Sequence, residues 1–402
     1  MSATKENCDR QYASFSTKNI EYSVGTKNEV EGTILKILEC NSAGLPLDQS
    51  AIEKCVDVIT KNIREYKSKD DLEPLKNLAN LCIEKKLHTE KAKMHRNIAM
   101  GYFFTGNTEM AVEMMETAIR EFQHQKNHAL LNVCYSDLGL IYFCEYEYAK
   151  AKELYEKVEA LLPSVPDMEK RAIYWHYYRL GLLHSNAREF KTARQYLEKA
   201  LEYAEASYEI GLAVMNIGII CKRDGEYEKA REYYNRALET FEENDYINRS
   251  AAYNNLANLY KTIGQFDAAL KYINMAFDCL NNRDIVKLFI YFETYTEINV
   301  MMGKPEKSID KFIEMLSNIK DFSVYKSLII ESINSLSIIA DESKEMLIRL
   351  EAVGIKLIEE TTRDNAEYKK ELEACLENIR LYIENVDKLN RKGGIIFEKE
   401  NY

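Results

Sequence analysis

The sequence predicts an all-helical chain built from repeated helix pairs stacked into a solenoid. Three observations predict it. Five segments of the chain align with one another without internal gaps. Small residues recur at fixed places in those segments, where two helices must approach closely. Only 5 prolines and 15 glycines occur in 402 residues, which suits long helices and disfavours a sheet-rich fold of tight turns.

The aligned segments begin at Ala92, Asn132, Tyr174, Gly211 and Ser250. Their seventh position is apolar: Ile98, Leu138, Leu180, Ile217 and Leu256. The eighth is small: Ala99, Gly139, Gly181, Gly218 and Ala257. The twentieth is always Ala, at Ala111, Ala151, Ala193, Ala230 and Ala269. The twenty-seventh is Ala at 118, 200, 237 and 276 and Val at 158. Larger side chains at these places would hold paired helices apart. Polar turns such as TGNTE, RDGEYE and IGQFD separate the two helices of each pair.

This pattern resembles the tetratricopeptide repeat, over roughly residues 92–283. The implied fold is an all-α, right-handed tetratricopeptide-repeat superhelix, with an N-terminal helical segment and a C-terminal capping helix. A weaker sixth copy starts at Phe289. It keeps Gly303 and Phe312 but places Thr296, Ser308 and Met315 where small residues are expected. A seventh helix pair spans about 325–360, and a last helix, polar on one face, spans about 365–390. Successive starts lie 40, 42, 37 and 39 residues apart, so the helices or the turns between repeats are longer than in a minimal repeat of about 34 residues.

The ends divide the chain further. Residues 1–27 are polar and aperiodic and read as a disordered tail. Residues 28–86 read as three helices, with Asp70 as a cap and Pro74 in the first turn of the third. They form either a bundle or degenerate repeats. The array proper covers 87–362, and 363–402 holds the capping helix and a tail.

Charge excludes some functions. The net charge of −11 repels nucleic-acid phosphates, and no basic run compensates, so DNA is an unfavoured partner. Nine scattered cysteines without a CxxC pair predict reduced thiols and a cytoplasmic protein. No signal-peptide core and no spanning-length apolar stretch are read, so no membrane partner is expected. Neither phosphate-loop motif occurs. His124 and His128 read as loop residues, and His176 and His184 as packing residues. No metal, cofactor or enzymatic activity is predicted.

Positions 5, 6, 9, 12 and 13 of each repeat are expected to line the concave face. In repeats one to five they hold five cations (Arg96, Arg179, Lys222, Arg223, Lys261) against one anion, Asp137. Repeat six adds Glu293 and Glu297. Such a groove would orient a short peptide with an acidic body or a free carboxylate. Asn recurs at position 6 (Asn97, Asn216, Asn255), with Asn254 and Asn258 beside the last. A primary amide both donates to and accepts from a peptide backbone. The expected peptide-binding residues are Asn97, Phe143, Tyr178, Arg179, Asn216, Lys222, Asn255, Asn258 and Lys261.

A helical N-terminal segment before six or seven long-spaced repeats, with groove Asn97, Asn216 and Asn255, resembles the bacterial receptors for secreted signalling peptides, the Rap, NprR and PlcR-like quorum-sensing group. That resemblance implies a peptide held in the groove and a changed contact with a downstream target. The target is a response regulator, another protein, or DNA in the transcriptional-regulation branch. The helix-turn-helix of that last branch is not read here. The Rap branch also implies a minor reading, phosphatase action on a response regulator through a bundle Gln; Gln49 is the bundle Gln here and is not assigned that role. The competing reading from a different class is a constitutive protein–protein scaffold or adaptor. The oligomeric state stays open, a homodimer included.

Overall fold

The structure, a computed structural model, describes residues 27–44, 47, 49–63, 69–166, 168–319, 322–340, 343–360 and 366–399, with side chains described up to Val386. The expected tail lies outside these residues except for Lys27. Among the described residues the secondary structure is helical throughout. The chain divides between Tyr203 and Ala204 into two compact units.

The first unit begins with α1 (Lys27–Ser42), α2 (Gln49–Asn62) and α3 (Lys69–Glu84). Three helix pairs follow: α4 (His88–Phe104) with α5 (Thr108–His124), α6 (His128–Cys144) with α7 (Tyr148–Leu161), and α8 (Lys170–Asn186) with α9 (Phe190–Leu201). The helix α3 starts two residues earlier than the cap at Asp70 suggested, which moves Pro74 past the first turn and into the helix. Its ring then removes one backbone bond, which the buried Leu72, Leu75 and Leu78 on the same helix outweigh. The three leading helices share one apolar core with the repeats, from Ile34 through Ile59 and Leu78 to Ile98 and Leu138.

The second unit holds α10 (Ser207–Arg223) with α11 (Tyr227–Thr240), α12 (Tyr246–Thr262) with α13 (Phe266–Leu280), and α14 (Ile285–Met301) with α15 (Glu306–Leu316). It ends with α16 (Lys326–Ile339), α17 (Lys344–Glu360) and α18 (Ala366–Lys399). The last helix packs on α16 and α17 and buries Tyr368, Leu372, Leu376 and Ile379. It runs nine residues beyond the end the sequence suggested.

The long repeat spacing has a simple origin. Each of α4, α6, α8, α10, α12 and α14 is 17 residues long and starts four residues ahead of its repeated segment. The widest spacing also contains the 3₁₀ turn Leu162–Ser164, which carries Pro163. Side chains close several helix starts: Asn107 accepts from the Met110 N–H at 3.2 Å, Asn127 from Leu130 at 3.2 Å, and Asp284 from Lys287 at 3.0 Å.

Every helix-pair turn has the same geometry. The backbone N–H of Asn107, Glu147, Glu189, Glu226, Gln265 and Lys304 donates to the carbonyl five residues back, at 2.8–2.9 Å. The residue before each donor lies in the left-handed region: Gly106, Tyr146, Arg188, Gly225, Gly264 and Gly303. The small eighth position is a packing requirement. A Cβ on Gly139 would meet the Tyr155 ring at 2.4 Å, and one on Gly218 the Tyr234 ring at 2.8 Å. No helix among the described residues is long and apolar enough to cross a membrane.

Candidate functional site

The first helices of successive pairs lie side by side. In the first unit α4 contacts α6 and α6 contacts α8; in the second, α10 contacts α12, α12 contacts α14, and α14 contacts α16. The positions assigned to the groove therefore fall in rows that cross helix after helix. The two units use those rows differently.

In the first unit the row closes on itself. Arg96 from α4 donates through Nε to Asp137 on α6 at 2.8 Å. Arg179 from α8 donates to the other carboxylate oxygen of Asp137 at 2.9 Å and to Ser136 Oγ at 2.6 Å. Asp137 is 3% exposed and Arg179 7%. Burial alone would push the Asp137 carboxyl up, but the two guanidiniums and their hydrogen bonds hold it below the usual carboxylate range. Asn97 is fully buried and its amide donates to Thr60 Oγ1 of α2 at 2.9 Å. The structure thus commits Arg179 and the Asn97 N–H group to contacts inside the unit, while Asn97 Oδ1 is buried without a partner among the described residues. A buried ion triad satisfied by its own members has little left for a ligand. Two more expected residues are half-buried aromatics. Tyr178 stacks on Tyr174 with ring centroids 5.7 Å apart, and Phe143 meets Tyr148 edge-on at 5.5 Å.

The second unit keeps its row more open. Lys222 on α10 is half-buried and makes no ion pair among the described residues. Burial, then the neighbouring charges of Lys261 and Arg223, push its ammonium below the usual lysine range, with Glu297 offsetting part of this. Lys261 on α12 pairs with Glu297 on α14. Asn258 donates to Thr294 Oγ1 at 3.2 Å and to the Asn254 carbonyl at 3.1 Å. Asn216 donates to the Leu212 carbonyl at 2.9 Å. Asn255 is partly exposed and carries no side-chain hydrogen bond among the described residues. Charge changes sign along this row, from Lys222 and Arg223 through the Lys261–Glu297 pair to Glu293 on α14.

Two features escaped the sequence reading. Asp137 is the hub of the first unit's row, and the signal was present: it lies 41 residues after Arg96 and 42 before Arg179, one repeat on each side. The second is Glu331 on α16, which stands beside Glu293 at the end of the second unit's row. The repeat signature has faded there, so alignment did not reach it. The histidines are placed as packing and surface residues. His176 is fully buried between Tyr155 and Tyr177, and His128 reaches Ser164 at 3.2 Å. The eight described cysteines are free thiols. No group of three metal-ligating side chains is found among the described residues.

Comparison with known proteins agrees with this architecture. Tetratricopeptide-repeat family models match residues 177–207 and 209–282. No curated protein sequence matches the chain. Among solved structures, the apo form of the quorum sensor NprR from B. thuringiensis is 15% identical with a TM-score of 0.53, covering 79% of this chain and 94% of that one. A Rap protein complexed with Competence and Sporulation Factor is 15% identical with a TM-score of 0.52, covering 91% and 99%. A signal-transduction ATPase with a tetratricopeptide-repeat sensor from Pyrococcus horikoshii is 15% identical with a TM-score of 0.50; the match covers 85% of this chain and about half of that chain, 54%. At such identities the likeness concerns the fold. The fold is of the all-helical, solenoid-like tetratricopeptide-repeat class, and a general protein-binding role goes with it.

Proposed function

We propose that this protein is a regulator that binds a short peptide along the row of first helices in its second unit, and that binding changes its contact with a downstream protein. The observation that carries this reading is Lys222. A half-buried ammonium beside two other cations, with no carboxylate of its own, is electrostatically unsatisfied. A peptide carboxylate, from an acidic side chain or the C-terminus, would supply the missing charge. Asn255 lies one repeat further along, where its amide suits an extended backbone, and Asn258 beside it keeps its Oδ1 to accept, its N–H groups being used within the unit. Asn216, on the same unit, stays in the reading as a flanking contact; Phe143 and Tyr178 belong to the first unit and are not part of this site, and Asn97 and Arg179 act as structural supports there. The quorum sensor and the Rap complex share the fold at low identity; the reading rests on the residues themselves.

A thermal-shift screen of short synthetic peptides, each with a free and an amidated C-terminus, tests it. One peptide should raise the melting temperature in a concentration-dependent way, since saturation at about 100 times Kd adds about 2.7 kcal/mol. Lys222→Met and Asn255→Ala should each weaken that peptide at least about tenfold. If a peptide binds and both variants bind it unchanged, this location is wrong. If no short peptide shifts the protein, a constitutive scaffold is the better account.

A further inference from the structure

A cavity lies between α14 and α16, at the end of the second unit's row. It has a volume of about 140 Å³ and is lined by Phe289, Phe292, Thr296, Leu328 and Leu336, with Glu293, Glu331, Ser332 and Ser335 towards its mouth. That volume admits about one ring or one aliphatic stem. It is well below the roughly 300–1,000 Å³ of a pocket for a drug-sized ligand. The site is sized for a single side chain.

Its chemistry is one-sided. Phe289, Phe292 and Leu336 are buried and form an apolar floor, while Glu293 and Glu331 are exposed. Glu297 one turn away is neutralised by Lys261, but neither Glu293 nor Glu331 has an ion-pair partner among the described residues. Burial, then the charges of Glu331 and Glu297, push the Glu293 carboxyl up, as expected for carboxylates gathered without a cation. A second observation is independent of the acids. Thr296 is 7% exposed and lines the cavity, yet its Oγ1 has no hydrogen-bond partner among the described residues. The other repeats place Ala or Gly at this position. A buried hydroxyl left unsatisfied costs about 1–3 kcal/mol, so it marks a place where a polar atom of a ligand belongs.

We propose that this cavity holds a lysine or arginine side chain of the bound peptide. The aliphatic stem lies on Phe289, Phe292 and Leu336. The cation pairs with Glu293 and Glu331 and donates to Thr296 Oγ1. The phenyl faces add a cation–π contribution. An uncharged apolar side chain would fill the same volume but leave both carboxylates and the hydroxyl unsatisfied. A carboxylate-bearing side chain would be repelled. The inference rests on the peptide-binding reading above and sharpens it: the peptide carries an anion at the Lys222 end and a base at the α14–α16 end.

Saturation-transfer NMR with three capped amino acids tests this on the full chain. N-acetyl-lysine amide and N-acetyl-arginine amide should bind, at least one of them saturably, and N-acetyl-norleucine amide should not. Glu293→Gln with Glu331→Gln should weaken the cationic probe about tenfold. Thr296→Val, which keeps shape and removes the hydroxyl, should weaken it in the same direction. Lys222→Met should leave the capped probe untouched. That separates failure of this site from failure of the peptide reading, which Lys222→Met tests on its own. Equal binding of norleucine and lysine probes overturns the proposal, as does a cationic probe indifferent to the double Gln variant, or no saturable binding at all. Putrescine binding as tightly as either capped amino acid would assign the cavity to free amines and overturn the peptide side chain as its occupant.

Discussion

The two units carry polar and charged residues on their first helices, the charges at positions 5 and 6 in the first and the cations at 12 and 13 in the second, and treat them in opposite ways. In the first, Arg96, Asp137 and Arg179 form a closed, buried triad across α4, α6 and α8, and Asn97 is spent on Thr60. In the second, Lys222 makes no ion pair and Asn255 no side-chain hydrogen bond among the described residues. The contrast separates two roles that look identical in a list of residues. A charge whose partner lies one repeat away holds successive repeats together. A charge without such a partner costs stability, and binding is the use for which that cost makes sense.

The largest effect that can break this comparison lies at Asp137. Asp137→Asn keeps the shape and removes the carboxylate that, among the described residues, pairs with both the buried Arg179 and the largely buried Arg96. It should destabilise the protein by about 3–5 kcal/mol in a urea titration, the usual cost of leaving buried charge uncompensated. Replacing the triad together, with Arg96→Met, Asp137→Leu and Arg179→Met, should recover most of that loss. Lys222→Met should change stability by less than about 1 kcal/mol while weakening peptide binding. If Asp137→Asn is as mild as Lys222→Met, the triad is not structural and the two rows are alike.

The next effect sharpens the same picture through pH. His176 is buried against Tyr155 and Tyr177, neither ring nitrogen has a hydrogen-bond partner among the described residues, and Arg179 and Lys199 are charges near it. Burial first, then those two cations, push its pKa down to about 3. The sign follows directly. Below the ordinary imidazole value of about 6.5 the unfolded chain takes up a proton that the folded chain refuses. Stability therefore falls as pH drops from about 6.5 towards 3, by about 1.4 kcal/mol per pH unit from this group. His176→Phe removes the proton site and keeps the packing. Urea midpoints between pH 7 and pH 4.5 should fall less steeply for the variant. Parallel profiles would mean that His176 is solvated and the first unit's interior is open after all.

The all-helical repeat class was readable because its cause is local. Small residues facing Tyr155, Leu197 and Tyr234 recur at one spacing, and a clash within 3 Å enforces them. Helix boundaries within the repeats were readable to within a few residues for the same reason, whereas the last helix runs nine residues past its expected end. The site was readable only in outline. Positions 5 and 6 identify residues on one face of a helix, but burial depends on the neighbouring repeat. Arg179 counted towards a basic groove until Asp137 and Ser136 closed around it. Asn97 counted as a ladder rung until α2, a helix outside the repeats, supplied Thr60. Both contacts have one source: a partner about 40 residues away in sequence. Thr296 is the reverse case. It stood out as a departure from the small-residue rule, and the departure coincides with the cavity.

The smallest effect concerns the turns, where the units differ again. The second unit places Gly225, Gly264 and Gly303 at the left-handed position, while the first places Tyr146 at φ 62° and Arg188 at φ 61° beside Gly106. An L-residue there costs roughly 1–2 kcal/mol, and glycine does not pay it but loses more freedom on folding. The Tyr146 side chain is 79% exposed, so its removal uncovers little, apart from an edge contact with Tyr148 at 6.2 Å. Tyr146→Gly and Arg188→Gly should therefore each stabilise the first unit, by about 0.5 kcal/mol. Gly225→Ala should destabilise the second by about 1 kcal/mol. Denaturation midpoints of the three variants measure this directly. If Tyr146→Gly destabilises instead, its ring has a role on the surface of the first unit that packing within the chain does not supply. The closed row would then no longer mark the first unit as the more self-contained of the two.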